Sequence, residues 1–142
     1  MAGHVLGLDP GTRKCGYALI TGLGEKPLAI GIVAIGELDA ELQRLKAAYP
    51  AAIVALGRGT NADFVGAALT RAHLPFVLVD ERETTLRARA RYFADHPPRG
   101  WKRLIPLGMQ LPERPIDDYA ALLIAERYLK RDDSPEPHSV SR

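Results

Sequence analysis

The order of the apolar runs along the chain is the feature that most constrains its fold. Three runs, 5–8, 16–21 and 28–35, follow one another with short connections, which predicts an antiparallel meander of three strands. Two further runs, 52–56 and 75–79, alternate with helical patterns, and strands that follow helices usually lie parallel to the first strand. The order β-β-β-α-β-α-β-α therefore predicts an α/β fold, a five-stranded mixed sheet with helices on both faces.

The helices are predicted from apolar residues at helical spacing and from turn residues at the helix ends. The first begins near Asp39, a candidate N-cap, and the second follows Asn61, another candidate N-cap. The apolar face of the second is expected to include Phe64. The third covers about 85–94 and the last about 115–130.

The length of 142 residues fits one compact domain. Hydrophobic residues make up 46% of the chain and charged residues 25%, so there is enough apolar material for a core. We expect this domain to occupy residues 1–131. The remaining segment, 132–142, is rich in Ser, Pro and charged residues, which is typical of a disordered tail.

The composition also limits the compartment and the partners. No apolar run approaches the roughly 18 residues that cross a bilayer, and no basic region precedes the first run as in a signal peptide. Cys15 is the single cysteine, which excludes an internal disulfide and a cysteine-based zinc site and favours the cytoplasm. The net charge is only +2, so a nucleic-acid partner must be argued from where the charges lie.

Carboxylates stand at the ends of three predicted elements. Asp9 ends the first strand, Asp80 and Glu81 follow the fifth strand, and Asp117 and Asp118 lie in the first turn of the last helix. In sheets of this kind, sites gather at the carboxyl ends of the parallel strands. Carboxylates that converge there repel each other unless a cation lies between them, and oxygen ligands suit Mg²⁺ or Mn²⁺.

Each carboxylate also has a purely structural interpretation. Asp9 stands in "DPG" and could simply begin a turn. Asp80 and Glu81 could be the polar end of a strand, and Asp117 and Asp118 could complement the helix macrodipole. The combination of all three positions, in the predicted order of elements, favours the metal site.

Three segments of the chain resemble the motifs of a known family. The stretches "GLDPGTRKCGYAL", "DERETTLRAR" and "IDDYAALLIAERYL" are similar, in the same order, to the three motifs of the YqgF (RuvX) family. These proteins are RNase H-like nucleases related to the RuvC Holliday junction resolvases. The resemblance implies an RNase H-like fold, one or two Mg²⁺ or Mn²⁺ ions, and metal-binding catalytic acids at Asp9, Glu81 and Asp117.

The chain departs from the family pattern after the fourth strand. The family usually has a "GLP" type of segment there, whereas this chain has "ALGRGTNAD". RuvC-type resolvases place a Glu near this strand end, and this chain has none, so the resemblance implies that Glu81 supplies the middle carboxylate. Arg58 is either a phosphate contact or a solvated residue in a tight strand-to-helix turn.

Basic residues concentrate near the proposed site and predict contacts with a phosphate backbone. Trp101 lies in a long loop rich in Pro and Gly, and either stacks on an unpaired base or anchors its loop to the core. The candidate nucleic-acid-binding residues are Arg13, Lys14, Arg58, Arg87, Arg91, Trp101 and Lys102.

The resemblance implies one of two nuclease functions. The preferred one is hydrolysis of RNA or single-stranded nucleic acid, in processing of the 5′ end of pre-16S rRNA. The alternative is resolution of branched DNA as a Holliday junction resolvase, which needs two sites in a two-fold dimer. The sequence shows no obvious dimer interface and leaves the oligomeric state open. A third possibility is a non-catalytic nucleic-acid-binding module. An ATP-binding actin-like protein would need two such domains, and this length supplies one.

Overall fold

The structure is a computed structural model that describes residues 3–59, 61–80, 84–97, 104 and 116–132. Its strands are β1 (Val5–Pro10), β2 (Lys14–Ile20), β3 (Ala29–Ala34), β4 (Ile53–Gly57) and β5 (Phe76–Val79). Its α-helices are α1 (Leu38–Ala48), α2 (Ala62–Arg71), α3 (Thr84–Asp95) and α4 (Asp117–Asp132), and a short 3₁₀ helix (Ile35–Glu37) precedes α1. The first residue of the predicted tail, Asp132, is the last residue of α4, and residues 133–142 lie outside the described residues.

The five strands form one sheet in the order β3-β2-β1-β4-β5. The β1–β2 and β2–β3 pairs are antiparallel, and the β1–β4 and β4–β5 pairs are parallel. The predicted mixed sheet is therefore confirmed, with strand ends that differ from the predicted ones by a few residues. Because β1, β4 and β5 are parallel, their carboxyl ends lie at one edge of the sheet.

Each face of the sheet is covered by helices, as predicted. Leu6 and Leu8 of β1 pack in a core that also contains Leu42 of α1 and Val65 of α2. Val5, which precedes Leu6 and points to the opposite face, packs in a second core with residues of α3 and α4. Successive side chains of a strand point to opposite faces, so the two cores follow directly from the apolar runs.

Two details of α1 and α2 differ from the predictions. The N-cap of α1 is Glu37 rather than Asp39, whose carboxylate instead accepts a hydrogen bond from Arg71 at 3.2 Å. Asn61 does occupy the N-cap position of α2, but its side chain makes no capping hydrogen bond. Phe64 is 45% exposed, because the face of α2 that meets the sheet is the one that carries Val65.

The close seating of α4 on β1 and β2 depends on two glycines. A Cβ atom on Gly7 would overlap the carbonyl oxygen of Ala121, and a Cβ atom on Gly16 would overlap that of Asp117. Ala121 and Ala125 are themselves fully buried. Small residues on both sides therefore allow the helix backbone to approach the strands closely. None of the helices in the described part of the chain has the length and hydropathy needed to cross a bilayer.

Candidate metal-binding site at the carboxyl edge of the sheet

Asp9 lies one residue before the end of β1, at the sheet edge where the parallel strands end. Its cross-strand partner on β2 is Gly16. Strand alternation places Asp9 on the same face as Val5, the face covered by α3 and α4. The residue is half-buried, so its carboxylate combines a fixed backbone with access to solvent.

Asp117 is the first residue of α4, and its backbone lies directly over Gly16. Because Gly16 is the partner of Asp9, and paired residues of antiparallel strands have Cα atoms about 5 Å apart, the first turn of α4 stands beside Asp9. Asp117 is half-buried like Asp9. The structure thus brings together two acids that are separated by most of the sequence.

The pKa of the Cys15 thiol depends on both of these acids. Burial, and after it the negative charges of Asp9 and Asp117, raise the pKa of Cys15 to about 12. Both carboxylates therefore act electrostatically on one buried group. The thiol is held neutral, so it is not poised as a nucleophile.

The neighbouring acids are placed differently. Asp118 is buried, with 6% of its surface exposed, and its Oδ1 accepts a hydrogen bond from the N–H of Tyr119 at 2.9 Å. Asp80 directly follows β5 and is exposed. Glu81, the predicted middle ligand, lies outside the described residues. Within the part of the chain that the structure describes, no three His, Cys, Asp or Glu side chains form a metal-binding group.

The donor atoms of the pair fit a hard divalent cation. Asp9 and Asp117 offer carboxylate oxygens, the ligands that Mg²⁺ and Mn²⁺ prefer. Two carboxylates at one place also repel each other, and a cation between them removes that repulsion. Two of the three predicted ligands therefore lie among the described residues.

The turn between β4 and α2 borders this edge. The N–H of Arg58 donates to the carbonyl oxygen of Val79 at 3.1 Å, and the N–H of Ala62 donates to that of Gly59 at 3.2 Å. The turn is therefore tight, and the side chain of Arg58 is exposed. An exposed guanidinium on a tight turn fits a phosphate contact, and it fits a solvated residue equally well.

The predicted nucleic-acid-binding residues fall in two places. Arg13, exposed, and Lys14, half-buried, lie at the start of β2 near the acids. Arg87 is exposed on α3, whereas Nη1 of Arg91 donates to the carboxylate of Glu126 on α4 at 2.8 Å. The side chain of Arg91 is still 43% exposed. Trp101 and Lys102 lie outside the described residues.

Two hydrogen bonds near the site could not be predicted from the sequence. The hydroxyl of Tyr119 donates to the carboxylate of Asp95 at 2.6 Å, which ties α4 to the end of α3. The side-chain amide of Asn61 donates to the carbonyl oxygen of Gly11 at 2.8 Å, which ties α2 to the turn after Asp9. Each contact joins segments that are distant in sequence, so neither spacing nor residue type predicts it.

A mixed sheet of this order, with acids at the carboxyl end of β1 and at the start of the last helix, defines an RNase H-like domain. Thermus thermophilus RuvC in complex with a Holliday junction substrate superposes with a TM-score of 0.58 at 20% identity, over 92% of this chain and 96% of that chain. A second T. thermophilus RuvC structure has a TM-score of 0.53 at 16% identity, over 92% and 97%. These similarities confirm the predicted fold.

Sequence comparison identifies the family within that class. A protein of Xanthomonas euvesicatoria pv. vesicatoria (strain 85-10) named "Putative pre-16S rRNA nuclease" is 31% identical over 146 residues, which cover 92% of this chain and 90% of that protein. No protein-family model matches the chain. The chain belongs to the family of this relative, the YqgF (RuvX) family of RNase H-like nucleases.

Proposed function

We propose that this nuclease depends on a divalent metal ion, hydrolyses phosphodiester bonds in RNA, and processes the 5′ end of pre-16S rRNA in the cytoplasm. The observation that supports the chemistry is the placement of Asp9 beside Asp117 at the carboxyl edge of the sheet. The choice of RNA follows the name of the Xanthomonas relative, which matches nearly the whole chain.

Asp9, Glu81 and Asp117 are the proposed ligands of one or two Mg²⁺ or Mn²⁺ ions. When bound, such ions activate water and stabilise the leaving oxyanion of a phosphodiester. The chain's own part is to hold the carboxylates rigidly, through the β1–β2 pairing under Asp9 and the seating of Asp117 on Gly16. The acids act as ligands, so none of them forms a bond with the substrate.

The exposed cations at the same edge are the proposed contacts of the substrate backbone. Arg13 lies in the turn between β1 and β2, and Arg58 follows β4, the strand next to β1 in the sheet. Contacts with phosphates fix the position of a nucleic acid without reading its sequence. Any choice among substrates must then come from the shape and flexibility of the strand.

A cleavage assay tests the proposal. Purified protein with Mn²⁺ is incubated with three labelled substrates: a 16S rRNA precursor with its 5′ extension, single-stranded DNA and a four-way DNA junction. We expect shortening of the RNA precursor, and no product with Asp9→Asn protein or with EDTA. Binding without cleavage of any substrate would contradict the nuclease mechanism and support a non-catalytic binding module.

The junction substrate tests the alternative function. The RuvC similarity at 20% identity establishes the fold and leaves the substrate to experiment. Paired symmetric cuts in the junction, with the RNA left intact, would overturn the proposed RNA substrate and support a resolvase. Because a resolvase needs two sites in a two-fold dimer, light scattering of the protein on the junction would then show two copies per junction.

A further inference from the structure

Asn61 makes an unusual contact for a residue at the start of a helix. It occupies the N-cap position of α2, where a side chain normally accepts a hydrogen bond from the first turn of the helix. Its side chain makes no such bond. Instead, Nδ2 donates to the carbonyl oxygen of Gly11, fifty positions earlier in the chain, at 2.8 Å. The contact therefore gives up local capping for a connection to the β1–β2 turn.

The turn that Asn61 contacts begins directly after the metal-binding end of β1. Asp9 and Gly11 are separated only by Pro10, whose ring restricts the backbone. A Cβ atom on Gly11 would press against the carbonyl oxygen of Lys14, so the turn is closely folded on itself. A displacement of Gly11 would be transmitted to Asp9 with little room for the intervening residue to absorb it.

The helix that carries Asn61 is itself firmly held. Val65 and Leu69 of α2 are fully buried against the sheet. The hydrogen bond thus connects the turn after Asp9 to a rigid element on the face opposite to α4. Asp9 is then supported from α2 through Gly11, while Asp117 is supported from β2 through Gly16.

We propose that Asn61 is a positioning residue for the metal site: its amide fixes the carbonyl of Gly11 and so holds Asp9 in the position that binds the ion. This inference rests on the proposed metal-dependent function and adds a residue to it. Asn61 itself contacts neither the ion nor the substrate. Residues that orient metal ligands commonly change metal affinity by about 10- to 100-fold when they are replaced.

The test is Mn²⁺ binding to Asn61→Ala, measured by titration calorimetry on the full metal-free chain. We expect Mn²⁺ to bind about tenfold more weakly than to the wild type, at the lower end of that range because Asn61 acts through a backbone carbonyl. The melting temperature should fall by only a few degrees. In cleavage assays, the Mn²⁺ concentration for half-maximal rate should rise by the same factor.

Lys46→Ala is the matched control. Nζ of Lys46 donates to the carbonyl oxygen of Ala72 at 2.8 Å and joins α1 to the far end of α2. This bond has the same length as the Asn61 bond and also ends on a backbone carbonyl, but its donor is an ammonium group and it lies away from the acids. We expect a similar loss of melting temperature and unchanged Mn²⁺ affinity. Equal weakening of Mn²⁺ binding in both variants would show a general effect of stability and overturn the inference.

A second variant, Asn61→Asp, protects the test against a folding failure. Aspartate is a favoured N-cap and suits the helix macrodipole, so α2 should form normally. It cannot donate to Gly11, and its charge alone would tighten cation binding. Weaker Mn²⁺ binding in Asn61→Asp would therefore support the loss of positioning, and wild-type or tighter binding in both Asn61→Asp and Asn61→Ala would overturn it.

The design separates this inference from the proposed function. If the wild type binds Mn²⁺ and Asp9→Asn does not, the metal site is established, and unchanged affinity in both Asn61 variants would overturn the positioning role alone. If neither the wild type nor Asp9→Asn binds Mn²⁺ or Mg²⁺, the proposed metal site fails and the inference fails with it.

Discussion

At the scale of the residue, Asp9 is the group on which the proposed chemistry depends most. It is half-buried at the end of β1 beside Asp117. Asp9→Asn keeps the volume of the side chain and removes the charge that a cation would bind. We expect cleavage to be abolished while the melting curve stays close to that of the wild type. Activity of the variant at the wild-type level, in protein free of contaminating nuclease, would contradict a metal site at this position.

The choice between Asp80 and Glu81 is also decided at this scale. Val79 packs in the core beneath α3 and α4, while Asp80, the next residue, is exposed. Neighbours along an extended chain point to opposite faces, so only one of the two acids readily faces Asp9. We expect Glu81→Gln to lower kcat by at least about 100-fold, the scale of a lost transition-state contact, and Asp80→Asn to lower it far less.

Steady-state rates of the two variants, measured at saturating substrate and Mn²⁺, make this comparison. Each variant loses one charge and keeps its shape, so each is the control for the other. A larger loss in Asp80→Asn would place the middle ligand one residue earlier than the family resemblance implies.

At the scale of the element, the seating of α4 decides where Asp117 stands. Gly16→Ala would drive a methyl group into the backbone of Asp117. Overpacking of this kind costs typically about 1–3 kcal/mol, and here the backbone that must move carries a proposed ligand. We expect the free energy of unfolding to fall by that amount and Mn²⁺ affinity to fall with it.

Gly36→Ala is the control for this substitution. Gly36 lies in the 3₁₀ helix before α1, and a Cβ atom there meets nothing within 4 Å. Exposed substitutions without special features change stability by within about 0.5 kcal/mol. Denaturant unfolding and Mn²⁺ titration of both variants make the comparison. Wild-type Mn²⁺ affinity in Gly16→Ala would contradict the dependence of the metal site on the seating of α4.

The junction of α3 and α4 bears on the predicted role of Arg91. Its bond to Glu126 ties the two helices, so Arg91→Ala removes a structural contact as well as a cation. Glu126→Gln removes the partner charge and keeps the cation. If Arg91 contacts phosphate, Arg91→Ala should weaken nucleic-acid binding and Glu126→Gln should not. Equal weakening in both, by fluorescence anisotropy on the Asp9→Asn background, would assign Arg91 to helix packing alone.

At the scale of the whole molecule, the position of the cations matters more than their number, because the net charge is only +2. Arg13 and Arg58 are exposed at the edge that carries Asp9. Replacing both by Ala should weaken binding to every single strand alike. The slope of log affinity against log salt should shrink by about 0.7 for each lost phosphate contact.

Lys26→Ala with Lys130→Ala is the control for this pair. Both lysines are exposed; Lys26 lies in the β2–β3 connection at the opposite end of the sheet, and Lys130 lies near the end of α4. This double variant also loses two positive charges, but away from the site. We therefore expect a nearly unchanged slope of log affinity against log salt. Similar slopes in the two double variants would place the nucleic acid on another surface.

The mixed sheet, the helices on both of its faces and the edge that holds the acids could be predicted from the sequence. Successive side chains of a strand point to opposite faces, so a continuous apolar run gives a strand that is buried on both faces. Strands reached through helices usually lie parallel to the first strand. Asp9 and Asp117 then fall at element ends by their positions in the chain alone. The predicted capping by Asp39 and the burial of Phe64 were wrong, because helix rotation and helix starts depend on the neighbours against which the helix packs.

The sequence alone determined which elements form, which strands run parallel, and that two acids stand at one edge, since these follow from local periodicity and connectivity. Only the tertiary structure decided how closely Asp117 approaches Asp9, because that distance depends on the missing side chains of Gly7 and Gly16 under α4. It also decided that Asn61 bonds to Gly11 rather than to its own helix. A side chain with several possible partners takes the one that packing brings within hydrogen-bonding distance, and packing is a property of the whole fold.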